Sequence, residues 1–257
     1  MESDLVYDVG MYKGEDSEFY LKKGFRVVAI EAVSAFAEGA AQRLENYIRA
    51  GRLIILNVAV ANRDGPVTFW ENTALNTLCT ADLAFSKASD PKRRRSIEKT
   101  VRGRSFEGIL REFGVPYYLK VDIEGSDLLC LKALKQFESR PRHVSIESTK
   151  RSWKNLLEEF AVFKDLGYSK FKVVAQDSWR GQKCPFPARE GQFIDYQFAD
   201  ISSGLFGEEA PGTWLNENEA IKTYRRIFWR YRVSDVLGYF RLGRFIEPPK
   251  WFDTHAT

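Results

Sequence analysis

Apolar runs of strand length alternate with amphipathic stretches of helical length along most of the chain. Residues 5–10 (LVYDVG) read as a buried strand, and residues 16–24 read as a short helix that turns Phe19 and Tyr20 to the core and stops at Gly24. FRVVAIEA is a second strand. Phe36, Ala40, Leu44 and Ile48 then recur at fourfold spacing and predict a single helix ending at Gly51. RLIILNVAV is a third strand, NRDG a turn, and PVTFW a short strand added to the sheet edge. Downstream, a helix capped by Ser105, the strand VPYYLKVDIEG, a helix capped by Ser126, the strand RHVSIES, the helix WKNLLEEFAVFKDLG and the strand KFKVVAQ follow in order. Strands separated by helices of this length predict βαβ units and an α/β fold with a doubly wound, mostly parallel sheet covered on both faces. Residues 1–200 are expected to form this domain, and residues 201–257 a C-terminal loop and a basic, aromatic helical extension.

Composition narrows the class. The chain has 257 residues, 44% hydrophobic and 29% charged, which suits a soluble globular protein and excludes a collagen-like or disordered chain. Cys79, Cys130 and Cys184 cannot all pair and show no CxxC spacing, so neither a disulfide framework nor a zinc site is expected, and a reducing cytoplasm fits. The start shows no signal-peptide pattern, and no apolar run is long enough for a membrane span. The net charge of +4 is unevenly spread: segments 92–104 and 222–244 each carry a net +6, leaving −8 for the remainder. The body is acidic, so the basic balance is not a signature of nucleic-acid binding, and no nucleic-acid partner is expected.

The sharpest local signal is Asp8-Val9-Gly10-Met11-Tyr12-Lys13-Gly14, which leaves the first strand and enters a helix. Glycines there let the backbone turn tightly and approach a ligand. The spacing is GxxxG, not the GxGxxG of dinucleotide sites, and Asp8, Glu15 and Asp16 would repel a pyrophosphate. They suit a cationic ligand such as S-adenosylmethionine. Glu31 ends the second strand 23 residues after Asp8, close to the offset at which a carboxylate meets the ribose hydroxyls of an adenosine ligand. Asn57 to Ala59, ending the third strand, fall where such folds contact the adenine.

The strand Tyr117 to Glu124 is unusually polar for the middle of a parallel sheet. Alternation places Tyr118, Lys120, Asp122 and Glu124 on one face. An unpaired buried lysine or aspartate is costly, so these groups should pair or lie at the open carboxyl end of the sheet. The next strand ends in Glu147, so Asp122, Glu124 and Glu147 should gather at one edge. Three readings fit this group: oxygen ligands for a divalent cation, a general base with a raised pKa, or a salt-bridge network around Lys120 that fixes the strand end. His143 is expected at the surface where a strand starts, and His255 in a tail.

Together, YDVGxxxGxxSxFYLKKGFRVVAIEA, YYLKVDIEGSD and PRHVSIES resemble the FkbM family of S-adenosylmethionine-dependent methyltransferases, over roughly residues 5–148. SGLFGEEAPGTW and WFDTHA resemble the tail of many bacterial members. The resemblance implies the Rossmann-like class I methyltransferase fold, a seven-stranded sheet whose last strand is antiparallel. It also implies methyl transfer to a hydroxyl oxygen, often on a sugar or polyketide. Family function maps onto Asp8, Gly10, Gly14 and Glu31 as cofactor contacts and onto the block from Lys120 to Gly125 as the catalytic edge. The family often has asparagine where this chain has Tyr12.

The expectation is therefore an O-methyltransferase with Asp122 as base or metal-ligating carboxylate and Lys120 orienting it or stabilising the developing alkoxide. Its partner would be a small-molecule or glycan acceptor. The alternative is a catalytically silent Rossmann-like protein that uses residues 222–244, where arginines interleave with aromatic side chains, for peripheral membrane contact or nucleic acid. A plainer reading of that segment is a helix whose aromatic face packs on the domain while its arginines stay solvated. Segment 92–104 reads as a lid or a solvated loop.

Overall fold

The structure is a computed structural model of the chain and describes residues 1–72, 79–83, 86–87, 96–123, 125–148, 152–199, 202–239 and 251–257. The main sheet is built from β1 (Glu2–Val9), β2 (Arg26–Ile30), β3 (Leu53–Leu56), β7 (Pro116–Val121), β8 (His143–Glu147), β9 (Phe171–Ala175) and β10 (Phe252–Ala256). Their spatial order is β3-β2-β1-β7-β8-β10-β9. The contacts β1–β2, β2–β3, β1–β7 and β7–β8 are parallel, whereas β10 runs antiparallel to both β8 and β9. This is the doubly wound, mostly parallel sheet that the pattern predicts, with the antiparallel last strand that the family resemblance implies.

Alternation sorts the strand side chains onto two faces. On one, Tyr7, Val9, Leu119, Val121, Val144 and Ile146 pack under the helices α4 (Phe106–Phe113), α5 (Asp127–Leu134), α6 (Trp153–Asp165) and α7 (Glu217–Tyr239). On the other, Val6, Val27, Ala29 and Tyr118 meet α1 (Glu15–Lys22), α2 (Ser34–Arg43) and a strap that includes Cys184, Phe198, Leu205 and Phe206. Phe206 stacks on Tyr118 with ring centroids 4.3 Å apart. Ser105 caps α4 as expected, accepting a hydrogen bond from the Gly108 amide at 3.2 Å. Ser126 stands at the start of α5, but its side chain makes no capping bond.

Several expectations are corrected. The chain does not divide at residue 200, because β10 lies inside the main sheet between β8 and β9. The segment PVTFW does not extend the main sheet. It belongs to β5 (Gly65–Asn72), which pairs with β6 (Ser96–Ser105) in a second, three-stranded sheet completed by β4 (Ala59–Ala61). Residues 96–104 of the first basic segment are therefore strand rather than lid or loop, and residues 92–95 lie outside the described residues. The single helix expected over 34–51 breaks at Leu44 into α2 and α3 (Glu45–Arg49), leaving Ile48 37% exposed. His143 and His255 are both buried in strands, at 1% and 3% exposure.

The aromatic face of α7 packs on the domain. Tyr224 is 2% exposed and shares a hydrogen bond with Thr254 of β10 at 2.6 Å, and Phe228 meets Trp153 edge to face. Trp229 points outward at 64% exposure. Residues 240–244 of this basic segment lie outside the described residues. Among the described residues, no helix is long and apolar enough to cross a membrane.

Candidate functional site

The strand order reverses between β1 and β7, where helices leave toward opposite faces of the sheet and a crevice opens beyond the carboxyl ends of the strands. A cavity of about 500 Å³ occupies that position. Its floor depends on Gly10, which adopts φ +83°. A Cβ at Gly10 would stand 1.9 Å from the Asp122 carbonyl oxygen, so only glycine lets the first loop close onto β7. Tyr12 also has a positive φ, 54°, a region where asparagine is tolerated far better than tyrosine. This explains physically why asparagine suits that loop position. Here the Tyr12 ring packs on Phe36, centroids 4.5 Å apart.

Over β2 and β3 the cavity is apolar, with Phe36, Val58, Ala59, Val60 and Phe69 in its wall. Phe69 comes from the second sheet, which thereby closes this end. Glu31 lines the same half and is 8% exposed. Its two oxygens accept the Tyr12 amide at 2.8 Å and the Val33 amide at 2.7 Å. Burial outweighs these hydrogen bonds and raises its pKa to about 7.

Over β1, β7 and β8 the cavity is charged. Asp8 and Lys120 are register partners on adjacent parallel strands, so their side chains emerge together on one face. Lys120 Nζ lies 3.0 Å from Asp8 Oδ1 and 3.2 Å from Asp16 Oδ2. Ser17 Oγ donates to Asp8 Oδ2 at 2.6 Å. Burial opposes the lysine charge, but the Asp8, Asp16 and Asp122 carboxylates outweigh it and hold Lys120 as an ammonium. Asp122 is half-buried beside it, and Asp122 and Glu147 both line the cavity. Desolvation raises the Asp122 pKa against the pull of Lys120.

Other carboxyl groups stand near. Asp253 of β10 is opposite Glu147 in the register and accepts from Gln176 Nε2 at 2.9 Å. Burial and the nearby Asp122 raise its pKa to about 8. The same two causes raise Asp127 to about 7. Gln176, Asp177, Trp179, Arg180 and Trp251 line this half of the cavity, together with Ser202 and Ser203 of the strap.

The sequence expectations thus sort into two groups. Gly10, Glu31, Ala59, Lys120, Asp122 and Glu147 are brought together at the cavity. Asp8, Gly14 and Asn57 stand behind its wall. Asp8 is fully buried and spends its charge on Lys120 rather than on a ligand. Gly14, at φ +85°, starts α1. Asn57 donates to the Glu31 carbonyl at 2.8 Å and accepts from Ser34 at 2.8 Å, tying the ends of β2 and β3 together. Lys120 bonds Asp8 and Asp16 and acts on Asp122 only through its charge. Glu124 lies outside the described residues. Among the described residues, no group of three or more His, Cys, Asp or Glu side chains is arranged to hold a metal ion. Sequence reasoning did not reach Asp253, Trp179, Trp251 or Ser202, which lie far from the glycine loop in the chain.

Among solved structures, the chain is similar to the methyltransferase FkbM from Methylobacillus flagellatus KT, at 20% identity and a TM-score of 0.45, covering 66% of this chain and 40% of that one. It thus spans less than half of that protein. It is also similar to the C-terminal domain of precorrin-6Y C5,15-methyltransferase from Rhodobacter capsulatus (11% identity, TM-score 0.39, 68% and 67% covered). A third likeness is to a SAM-dependent methyltransferase from Archaeoglobus fulgidus (8% identity, TM-score 0.40, 99% and 86% covered). No curated protein matches. The family model of the methyltransferase FkbM domain matches residues 8–170, from the buried Asp8 to the start of β9. That match takes in the glycine loop, Glu31, the Lys120–Asp122 strand and Glu147, and it spans well over half of the sequence: the chain belongs to the FkbM methyltransferase family.

Proposed function

We propose that this protein is an S-adenosylmethionine-dependent O-methyltransferase acting on a hydroxyl of a sugar, glycan or polyketide-type small molecule. The observation that carries the reading is the Asp122–Glu147 carboxyl pair at the charged end of a cavity whose other end is apolar and holds the buried Glu31. The cavity fits the cofactor on chemical grounds. A flat purine suits the wall made by Phe36, Val58, Ala59, Val60 and Phe69, and each Glu31 oxygen keeps a second lone pair for a ribose hydroxyl beyond its backbone bond. The surplus of carboxylates over the cations Lys120 and Arg180 suits a sulfonium and an ammonium.

Bound there, the cofactor supplies a methyl group already activated for transfer. The protein must then orient an acceptor hydroxyl, exclude water and take up its proton. Asp122 is the group to accept that proton, since its desolvated carboxyl has a raised affinity for one. Lys120, kept as an ammonium by Asp8 and Asp16, places a fixed positive charge near the developing alkoxide. The indoles of Trp179 and Trp251 among polar side chains support a sugar-like acceptor, with apolar faces and hydroxyl edges.

Calorimetry with S-adenosylhomocysteine and with NAD tests the reading, followed by methyl transfer to a sugar library with and without chelator. Binding of S-adenosylhomocysteine but not of NAD is expected. Absence of S-adenosylhomocysteine binding would overturn the proposal.

A further inference from the structure

Ser202 lies on the strap after β9, outside the residues matched by the family domain, and yet it lines the cavity. It is 4% exposed, and its hydroxyl has no hydrogen-bond partner within the protein. A buried hydroxyl left unpaired costs free energy, and one on a residue in the wall of a binding cavity is explained when a ligand completes it. The backbone that follows it is firmly held. The Ser203 amide donates to Asp16 Oδ1 at 2.9 Å, and the Leu205 amide donates to Gln182 Oε1 at 2.8 Å. Gly204, at φ +86°, makes the turn between them where a Cβ would meet that same Gln182 oxygen at 2.5 Å.

The neighbours of Ser202 decide what it would bind. If the purine and ribose take the apolar half with Glu31, the amino-acid end of the cofactor reaches the charged half, among Asp16, Lys120, Asp122 and Ser202. Its ammonium meets a surplus of carboxylates there. Its carboxylate has fewer choices, because Lys120 is already held by Asp8 and Asp16, the Ser203 amide is bonded to Asp16, and Arg180, the other cation of the lining, has a partner within the protein. The Ser202 hydroxyl is a donor at this end that is buried, uncharged and uncommitted.

We propose that Ser202 is a cofactor-binding residue whose hydroxyl donates a hydrogen bond to the carboxylate at the amino-acid end of S-adenosylmethionine. The inference rests on the functional reading above, and its test separates the two. Wild type and Ser202→Ala are titrated calorimetrically with S-adenosylhomocysteine, with its decarboxylated analogue and with 5′-methylthioadenosine, which lacks the amino-acid end. Loss of a hydrogen bond to a charged group should weaken S-adenosylhomocysteine about tenfold or more, while the other two ligands change less than about twofold. The melting temperature of the unliganded variant should stay the same or rise, because no bond within the protein is lost. Equal weakening of all three ligands, unchanged S-adenosylhomocysteine affinity, or a destabilised unliganded variant each overturns the assignment. Failure of wild type to bind S-adenosylhomocysteine at all would instead overturn the functional reading.

Discussion

Charge is buried at both edges of the main sheet, and the two places differ in their balance. At the amino-terminal edge, Lys23 and Glu209 pair at 2.7 Å with both side chains fully buried. The other Glu209 oxygen accepts the Arg189 and Glu190 amides at 2.8 and 3.1 Å. Glu190 accepts Tyr117 Oη at 2.8 Å and the Glu208 amide at 2.7 Å, with His143 Nε2 at 3.3 Å. Lys172 donates to the Ala210 and Gly207 carbonyls at 2.6 and 3.2 Å. Each charge here has its partners. At the carboxyl-terminal edge, Lys120 faces three carboxyl groups, Asp8, Asp16 and Asp122, with Glu147 and Asp253 beyond. A closed, matched cluster fastens the strap to the domain. An unmatched cluster opening on a cavity leaves a negative field for a ligand to complete, which is where burial is turned to function.

The contrast is broken most strongly at Asp122. Asp122→Asn removes the proposed proton acceptor while keeping its size. Methyl transfer to whichever sugar hydroxyl the library reveals should fall by about 10²–10⁴-fold, with S-adenosylhomocysteine affinity kept within a few-fold. Unchanged turnover would remove Asp122 from the mechanism. The matched cluster should respond in the opposite way. Lys23→Met leaves the Glu209 carboxylate buried without its cation and should cost about 3–5 kcal/mol of stability, read as a lower midpoint in urea. Turnover per folded molecule should hold. Activity lost without any change in that midpoint would show that the two clusters are not separate in role.

Much of the site was legible because it sits at fixed offsets within single βαβ units. Asp8, Gly10 and Glu31 follow from where strands end, and Asp122 and Glu147 stand out as charge in strands that should be apolar. Register could not be read the same way. That Lys120 pairs with Asp8 rather than with Asp122 depends on β1 and β7, which lie over a hundred residues apart in the chain, being neighbours. The last strand was hidden for a similar reason. FDTHA has a single large apolar residue and becomes a strand because β8 and β9 offer pairing on both sides. The basic segment at 96–104 is a strand through pairing with β5, and its exposed polar positions carry no core-facing alternation. Ser202 carries no sequence signal at all. It is found only by asking which buried polar atoms are left without a partner.

The smallest expected effect concerns pH, and it also separates the two edges. Glu31 and Asp127 titrate at about 7 and Asp253 at about 8, all raised by burial from 4.5 for glutamate and 3.8 for aspartate. Between those ordinary values and the raised ones, the folded protein binds protons that the unfolded chain has released, so stability falls as pH rises. His255 acts in the opposite sense, since burial lowers it from 6.5 to about 3 and stability is gained as pH rises through that interval. At the other edge, burial pushes Glu190 up, but the neighbouring His143 and the hydrogen bond from the Glu208 amide hold it below 4.5. Glu190 does not change charge above pH 6.5, and the part of the His255 gain that remains there is only about 0.4 kcal/mol, so the raised carboxyl groups dominate. The unliganded protein should therefore melt several degrees lower at pH 8 than at pH 6.5. Asp253 should account for about 1.5 kcal/mol of that difference, so Asp253→Asn should flatten the profile by that amount. Melting curves of wild type and variant that shift equally between the two pH values would show that the unmatched edge carries no such proton, and the distinction between the clusters would fall with it.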